Sequence, residues 1–377
     1  MTSSLRRAGA AAWAAGAVLV LSACAGGPDK PRPKPLPVLT SASVADAAWN
    51  QRIGPVRFPL TVAVTPGAFT VASSDGIVVS LESAGGRERW RANLAAPIGA
   101  GVGSDGQLAA VVMQSGDLVV LRDGKVLFRK ALGTRVVTAP LVAGERVFVL
   151  GVDRTVQAFD ALDGRRLWRL QRPGDPLALA QVGVLSAFRN TLIVGQGPRL
   201  AGVDPLTGAV QWESAVGTPR GANEVERLAD LIGPPARVGS LMCARAFQVA
   251  VGCVDAERGG LTWSRPVGGN DAIAADANFV YGADGTDRLS AWRSDTGNVA
   301  WASDVLMHRG LGAPAVQADS VVYADASGML HWLRRQDGQA LQRLATDGSP
   351  PAAPPAVAGP TLLLVTRAGG LHAFRAR

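Results

Sequence analysis

One short pattern recurs along the chain: an acidic residue or an arginine, a turn that ends in glycine, three residues, and then tryptophan. The strong copies cover residues 160–168, 204–212, 255–263 and 293–301. Weaker copies cover residues 82–90, 122–128 and 334–342. The turn glycines of successive copies are 38–51 residues apart, and most intervals are close to 40. A period of this length predicts a repeat architecture in which stacked units share one core.

Each period contains the same four apolar runs. In residues 138–170 the runs APLVA, VFVLGV, TVQAF and RRLWRL are separated by the turns GER, DR and DALDG. Short runs that are joined by Gly and Asp turns are typical of an antiparallel meander. A four-stranded meander of about 40 residues is one blade of a β-propeller. The sequence therefore predicts an all-β chain.

The two chain ends predict the number of blades. Residues 371–375 (LHAFR) align with residues 330–334 (LHWLR), the third strand of the preceding copy, so the last copy ends before its fourth strand. Trp49 stands 41 residues before Trp90, where a fourth strand is expected. We therefore expect the N-terminal strand to complete the last blade, which closes an eight-bladed propeller over residues 46–377 and leaves no open sheet edge at the closure.

The aromatic residue at the end of each pattern is expected in the fourth strand, where a large ring can fill the space between neighbouring blades. The predicted docking rings are Trp49, Trp90, Phe128, Trp168, Trp212, Trp263 and Trp301. Gln342 occupies the equivalent position in the seventh blade. Because it lacks a ring, we expect the seventh blade to form the loosest seam.

The N-terminus predicts export and a lipid anchor. Residues 1–23 have two arginines followed by an apolar run, as a secretory signal peptide has. The end of that run, Leu-Ser-Ala-Cys at residues 21–24, resembles the lipobox of bacterial lipoproteins, in which the cysteine is lipidated. Cys24 is therefore the expected lipidation site, and the alternative is a buried cysteine in an apolar segment. The absence of Asp after Cys24 implies, by the rule for that class, an outer-membrane location facing the periplasm.

Residues 24–45 are expected to form a tether. The segment alternates Pro with Lys and Arg (GGPDKPRPKPLPVL), a composition that cannot build a core and that favours extended polyproline II. We interpret it as a semi-rigid spacer that lifts the folded body off the membrane.

Composition and motifs argue against several functions. The formal net charge is +8, but the basic residues are scattered and are not interleaved with aromatic residues, so no nucleic-acid partner is expected. No HExxH, GxSxG or vicinal Cys–Cys motif occurs, and His308, His331 and His372 stand apart. We therefore expect no catalysis, no metal and no cofactor. The alternative is a periplasmic propeller enzyme that binds a quinone or a sugar.

Two stretches interrupt the repeat, namely residues 171–182 and residues 216–235. Insertions in a repeat array lie on one face and often carry function. Apolar residues at positions 225, 228 and 231–232 of the second stretch predict a short helical turn. Ordinary loop decoration is the alternative for both.

Cys243 and Cys253 are placed symmetrically about Gln248, in the predicted second and third strands of one blade. Residues that face each other across a hairpin can meet the geometry of a disulfide, and the expected compartment is oxidising. A disulfide is therefore predicted, with two buried free thiols as the alternative.

The pattern DPLTGAVQW resembles the repeat of pyrroloquinoline-quinone (PQQ) dehydrogenases and their relatives, which are eight-bladed propellers. Together with the lipobox and the insert NEVERLADLIGPP, the whole chain, residues 1–377, resembles the BamB family of outer-membrane protein assembly factors. This resemblance implies a non-catalytic lipoprotein of the β-barrel assembly (BAM) complex, which assists the insertion of barrel proteins into the outer membrane. The implied partners are the POTRA domains of BamA, the rest of the BAM complex and nascent outer-membrane proteins.

In that family two adjacent loops contact BamA. The partner-binding residues that the resemblance implies in this sequence are Leu177, Leu179, Glu226, Arg227 and Asp230. Two positions depart from the family pattern: an arginine is replaced by Ala180, and a second acidic residue is replaced by Ile232. The apolar part of the contact is thus retained, and the charged part is altered.

Overall fold

A computed structural model describes residues 31–39, 43–171, 178–219 and 221–377. The predicted signal peptide and Cys24 lie outside the described residues, as does Leu177. The compact body comprises residues 34–377. It consists of eight four-stranded antiparallel sheets that are arranged in sequence order around a ring, so the predicted eight-bladed β-propeller is confirmed.

The first four blades follow the chain without interruption. Blade 1 comprises β2 (Ala63–Thr65), β3 (Ala68–Ala72), β4 (Ile77–Glu82) and β5 (Glu88–Asn93). Blade 2 comprises β6 (Ile98–Ser104), β7 (Leu108–Met113), β8 (Asp117–Arg122) and β9 (Lys125–Ala131). Blade 3 comprises β10 (Leu141–Ala143), β11 (Arg146–Leu150), β12 (Val156–Asp160) and β13 (Arg166–Leu170). Blade 4 comprises β14 (Leu185–Phe188), β15 (Thr191–Gln196), β16 (Arg199–Val203) and β17 (Val210–Ala215).

The last four blades complete the ring. Blade 5 comprises β18 (Leu231–Val238), β19 (Leu241–Ala246), β20 (Ala250–Asp255) and β21 (Gly260–Arg265). Blade 6 comprises β22 (Ala274–Ala275), β23 (Phe279–Ala283), β24 (Leu289–Arg293) and β25 (Val299–Ser303). Blade 7 comprises β26 (Ala315–Gln317), β27 (Ser320–Ala324), β28 (Leu330–Arg334) and β29 (Ala340–Leu344). Blade 8 comprises β30 (Ala356–Ala358), β31 (Thr361–Val365), β32 (Gly370–Ala376) and β1 (Ala45–Arg52).

Blade 8 joins the two ends of the chain. The N-terminal strand β1 pairs antiparallel with the C-terminal strand β32, from Ala45 opposite Ala376 to Arg52 opposite Gly370. The predicted closure by the N-terminal strand is therefore confirmed. The core lies between the blades, where valine, leucine and alanine side chains of the inner strands of adjacent sheets pack together.

The strand directions give the disc two different faces. The turns that join the third strand of a blade to the fourth lie on one face, which we call the turn face. The connections from each blade to the next lie on the other face, which we call the loop face. The first strands of neighbouring blades contact one another, and they therefore surround the central opening.

The recurring sequence pattern forms the turn face. In blade 4 the Asp204 carboxylate accepts hydrogen bonds from the backbone N–H groups of Leu206 (2.7 Å) and Thr207 (3.1 Å). The turn then needs a residue with positive φ, which glycine adopts without steric cost, and Gly208 has φ 77°. The pattern thus encodes a turn that side-chain and backbone geometry specify jointly.

Each aromatic ring at the end of the pattern lies against the turn glycine of the next blade. The pairs are Trp49 with Gly86, Trp90 with Gly124, Phe128 with Gly164, Trp168 with Gly208, Trp212 with Gly259, Trp263 with Gly297 and Trp301 with Gly338. At six of these glycines a Cβ atom would come within 2.8 Å of the ring. The glycine is therefore required twice, for the backbone angle and for the close approach of the ring.

A β-bulge accompanies each fourth-strand ring and the equivalent Gln342. In blade 3, for example, Trp168 pairs with Ala158 while Arg166 pairs with Phe159, so that Leu167 is the extra residue. The same register shift recurs in the other blades. A bulge re-aims the side chains beside it. We infer that the bulge directs the ring toward the neighbouring blade. The sequence analysis predicted the ring but not the bulge.

The seam between blades 7 and 8 is built differently from the other seven. Gln342 Oε1 accepts hydrogen bonds from the backbone N–H groups of Val44 (2.7 Å) and Ala45 (2.9 Å), and its Nε2 donates to the Ala45 carbonyl (2.8 Å). The large ring of this seam is on the third strand, where buried Trp332 packs edge-on against Phe374. The expectation of a loose seam is not supported by these contacts, because hydrogen bonds and a transposed ring replace the missing tryptophan.

Candidate partner-docking surface

The described residues of both interruptions lie on the loop face, on either side of blade 4. The first loop precedes β14 and is described at residue 171 and from residue 178 onward. The second loop precedes β18, which begins at Leu231. The predicted end of this stretch at residue 235 is therefore wrong, because residue 235 lies inside the strand. We call these segments the first docking loop (residues 171–184) and the second docking loop (residues 216–230).

Asp230 connects the two docking loops. Its Oδ2 accepts a hydrogen bond from the backbone N–H of Leu179 (2.8 Å), and its Oδ1 forms an ion pair with the guanidinium of Arg154 (2.8 Å). The Asp230 carbonyl also accepts a hydrogen bond from the Phe247 N–H (3.0 Å). Only 15% of the Asp230 side chain is exposed. Its carboxylate is therefore engaged within the chain and fixes the position of Leu179.

Arg154 is the residue of this site that the sequence analysis missed. It lies in the turn between β11 and β12 of blade 3, 76 residues before Asp230 in sequence, and 20% of its side chain is exposed. The resemblance places an arginine at the position of Ala180, which is exposed and carries no charge. Arg154 of blade 3 supplies the guanidinium that pairs with Asp230, and only the fold reveals this pairing.

Backbone hydrogen bonds hold the bases of the two loops together. Gly183 forms an antiparallel bridge with Ile232, and the Gly233 N–H donates to the Val182 carbonyl (2.7 Å). The Gly183 N–H also donates to the hydroxyl of Thr138 (2.9 Å). Ile232 is almost fully buried in β18, so this position is part of the sheet.

The tip of the second docking loop is a single hydrogen-bonded turn. The Asn223 side chain accepts from the Glu226 N–H (2.9 Å), and the Glu226 carboxylate accepts from the Ala222 N–H (2.8 Å). A short helical turn is present, since the Arg227 N–H donates to the Asn223 carbonyl (3.2 Å). The predicted apolar face does not continue to residue 232, because Leu231 and Ile232 belong to β18 while Val225 is 68% exposed. Glu226 thus stabilises the loop, and Arg227 is exposed beside it.

An apolar groove of about 680 Å³ runs beside this turn. The second docking loop and the connections of blade 5 form its apolar walls, with the side chains of Val225, Leu228, Phe247, Val249 and Pro266. Phe247 is also the residue whose N–H binds the Asp230 carbonyl, so the groove adjoins the junction of the two docking loops. A groove of this kind, with the exposed Val225 at its side, is suited to receive an apolar side chain of another protein.

The central opening on the loop face has a volume of about 1080 Å³. Its wall includes the connection of residues 53–62, the Pro351–Pro355 region and the bases of the docking loops at Gln181, Val182 and Ile232. In the described part of the chain, no group of three or more His, Cys, Asp or Glu residues is placed to hold a metal ion. Most of the wall of the opening is apolar, and its charged lining residues are Arg57, Asp271 and Arg367.

Blade 5 contains the two cysteines. Cys243 on β19 pairs directly with Cys253 on β20, with the Cα atoms 4.0 Å apart, and the two sulfur atoms form a disulfide. Both residues are completely buried.

In the same blade the buried Arg245 donates to the carbonyls of Gly268 (2.8 Å) and Ala283 (2.9 Å), and burial lowers the pKa of its guanidinium to about 10. The hydrogen bonds of Arg245 hold blade 5, and thus the second docking loop, to blade 6.

No helix in the described ranges combines the length and the apolar character that crossing a membrane requires.

Comparison with known proteins agrees with this architecture. The protein family described as outer membrane protein assembly factor BamB matches residues 74–303. The BamB of Burkholderia pseudomallei strain K96243 is 35% identical over 378 aligned residues, which cover 99% of each chain. The crystal structure of BamB from Moraxella catarrhalis superimposes with a TM-score of 0.79 at 23% identity and covers 88% of this chain and 100% of that one.

A quinohemoprotein alcohol dehydrogenase from Comamonas testosteroni has the same fold, with a TM-score of 0.66, 16% identity, and coverage of 88% of this chain and 76% of that one. The fold and the matching family model thus define a PQQ-like eight-bladed propeller, in which the two segments that interrupt the repeat meet on the loop face. Within that class, the chain belongs to the BamB family of outer membrane protein assembly factors.

Proposed function

We propose that the protein is a non-catalytic lipoprotein of the BAM complex that binds the POTRA domains of BamA through the loop face. The observation that supports this most strongly is the convergence of the two docking loops. They are the segments that break the repeat, and Asp230 binds Leu179 of the first loop from the end of the second. Beside that junction lies the apolar groove. In this role the protein assists the assembly and insertion of barrel proteins into the outer membrane.

The proposed contact divides its residues into two groups. Leu177 and Leu179 of the first docking loop, together with Val225 and the groove beside it, supply apolar surface to BamA. Asp230 positions Leu179 through its carboxylate and is largely covered. Glu226 caps the tip of the second loop, and the exposed Arg227 contributes charge at the rim of the contact. Apolar anchors that are surrounded by a polar rim are the usual source of affinity in such interfaces.

Co-purification from detergent-solubilised envelopes tests this contact. A triple variant (Leu177→Ala, Leu179→Ala and Asp230→Ala) is expected to lose BamA and the rest of the BAM complex while it retains a β-rich circular dichroism spectrum. The matched control changes Leu162 and Leu206, which are 57% and 61% exposed on the turn face, to Ala. Retention of BamA by the triple variant, or loss of BamA by the control, would refute the assignment.

We propose that Cys24 carries the lipid anchor and that the body faces the periplasm from the outer membrane. Several acyl chains on one cysteine bind a membrane far more strongly than one chain. Growth with labelled palmitate is expected to label the protein, and Cys24→Ser is expected to abolish both the label and the membrane association. A Cys24→Ser protein that still sediments with membranes would contradict this anchor.

The fold similarity to quinohemoprotein alcohol dehydrogenases supports one alternative, a periplasmic propeller enzyme that binds a quinone or a sugar. Such an enzyme would retain a quinone chromophore and calcium after purification from its native envelope. Visible absorbance and elemental analysis of the native protein distinguish the two functions. We favour the assembly factor, because the 35% identical full-length relative carries that name. Nascent outer-membrane proteins are its second proposed partner.

A further inference from the structure

The segment of residues 34–37, which precedes the propeller in the chain, is bound to the surface of blades 6 and 7. Lys34 makes two backbone hydrogen bonds with the connection between blades 6 and 7: its N–H donates to the Met307 carbonyl (3.1 Å), and its carbonyl accepts from the Arg309 guanidinium (2.7 Å). The Pro37 carbonyl accepts a hydrogen bond from Arg343 on β29 of blade 7. We call residues 34–37 the strap.

Side chains add to these backbone bonds. Leu36 is partly buried against the apolar cluster between blades 6 and 7, which includes Leu306 and Leu311. The Lys34 ammonium forms an ion pair with Asp304 (2.7 Å), but both side chains are substantially exposed, so this pair contributes little. Val38, the next residue after the strap, is 91% exposed. The apolar contact and the backbone hydrogen bonds therefore hold the strap, and its bound part ends before Val38.

The strap changes where the tether leaves the body. Lys34 lies at the loop face, because it binds the connection of residues 304–314, whereas β1 begins at the turn face, where Ala45 pairs with Ala376 at the end of β32. The predicted tether of residues 24–45 is therefore not entirely free. Between Cys24 and the first bound residue there are ten residue steps, compared with 21 between Cys24 and Ala45.

We propose that the strap fixes the exit point of the lipid anchor at the loop face of blades 6 and 7 and thereby orients the disc on the membrane. This inference rests on the proposed lipidation of Cys24. A Pro-rich chain extends about 3.1 Å per residue, so ten steps reach about 31 Å and 21 steps would reach about 65 Å. The edge of blades 6 and 7 is thus held near the lipid headgroups, and blades 2 and 3, across the ring, lie farther away.

Energy transfer to the membrane tests the orientation. The lipidated full-length chain is placed in vesicles of phosphatidylethanolamine and phosphatidylglycerol that contain a headgroup acceptor. One donor dye is attached either at Ala302→Cys on blade 6 or at Lys130→Cys on blade 2, two exposed positions on outer strands across the ring. We expect stronger transfer from position 302 than from position 130. Equal transfer from the two positions would overturn the proposal.

Strap variants make the test specific. Leu36→Ser combined with Lys34→Glu changes only the strap, so the propeller stays intact while the tether is released. The difference in transfer between positions 302 and 130 is then expected to shrink, whereas Val38→Ser, the matched control, keeps it. An unchanged difference in the released variant would show that the strap does not set the orientation.

Hydrogen exchange separates failure of the strap from failure of the anchor. The Lys34 amide, which is bonded to Met307, is expected to exchange about tenfold faster in the released variant than in the native chain. A native chain that does not associate with vesicles but protects this amide contradicts lipidation of Cys24 and leaves the strap supported. A native chain whose Lys34 amide exchanges as fast as in the variant contradicts the strap itself.

Discussion

The two faces of the disc differ in how they use the same chain. The turn face repeats one solution: a turn whose glycine has positive φ, and a ring from the preceding blade packed on that glycine. In blades 3 to 5 an Asp side chain also caps the turn. The loop face repeats little, and its two longest described departures from the period meet at Asp230. We infer that the repeat encodes the ring, whereas the interruptions encode the contact with a partner.

This contrast predicts two separable kinds of variant. Changes on the turn face should cost stability without a specific loss of binding, because the rings connect one blade to the next. Changes in the docking loops should cost binding with little loss of stability, because those loops contribute few buried apolar side chains.

The largest effect is expected from Trp263→Ala. Trp263 is 6% exposed, packs on Gly297 and donates its indole N–H to the Ser294 carbonyl (2.8 Å). Removal of a buried Trp side chain typically costs about 3–5 kcal/mol. Denaturant unfolding of the purified protein should show this loss, while the folded fraction still binds BamA. A loss below 1 kcal/mol would contradict the proposed role of the ring between blades.

Replacement of Cys243 and Cys253 by Ala should have the next largest effect. The disulfide closes a loop with a sequence separation of ten residues, and loop closure of that size contributes roughly 2–3 kcal/mol. Unfolding of the native protein with and without reductant should reproduce the difference. Alkylation of both thiols in protein that has not been reduced would contradict the bond.

Gln342→Leu should cost about 2 kcal/mol, since two backbone N–H groups and one carbonyl of the N-terminal segment lose their hydrogen bonds. Gln342→Trp is the informative companion. Blade 8 has no turn between its third and fourth strands, because those strands are the chain ends, so a ring at position 342 has no turn glycine to pack on. A more stable Gln342→Trp protein in thermal unfolding would contradict this explanation of the seam.

Asp230→Asn should have the smallest effect on stability, about 1 kcal/mol, because the amide oxygen still accepts the Leu179 N–H while the ion pair with Arg154 is lost. Affinity for BamA should nevertheless fall, since the position of Leu179 is less firmly fixed. Hydrogen exchange at the Leu179 amide reports this loosening directly. Unchanged exchange and unchanged affinity would show that the charge of Asp230 is dispensable.

Much of the ring could be predicted from the sequence, for identifiable physical reasons. The turn glycines and rings recur at a fixed spacing, and the truncated final copy at residues 371–375 required a partner strand near Trp49. The fourth-strand bulge was not predicted, because it changes the pairing register by one residue without a distinctive residue type. Gln342 was misjudged, because its compensation comes from Trp332 and from backbone groups almost 300 positions away in the chain.

The candidate site was less predictable than the ring. The two interruptions identified the right face, and the position of Asp230 between them followed from the family resemblance. Arg154 could not be found by sequence spacing, since it belongs to blade 3 and reaches Asp230 only after the blades stack. Similarly, the apolar pattern at positions 225–232 mixes an exposed turn with the first residues of a buried strand, so the predicted helical turn is present at residues 223–228 but ends before β18.

The central claim is that the loop face, rather than the turn face, binds BamA. The most direct measurement is the affinity of the purified full-length chain for the periplasmic domains of BamA, compared between two matched leucine pairs. Leu177→Ala with Leu179→Ala should weaken binding by about tenfold or more, which corresponds to about 1.4 kcal/mol. Leu162→Ala with Leu206→Ala, on the turn face, should leave the affinity unchanged. Equal affinities of the two double variants would contradict binding through the loop face. Weaker binding by the turn-face variant alone would contradict it as well.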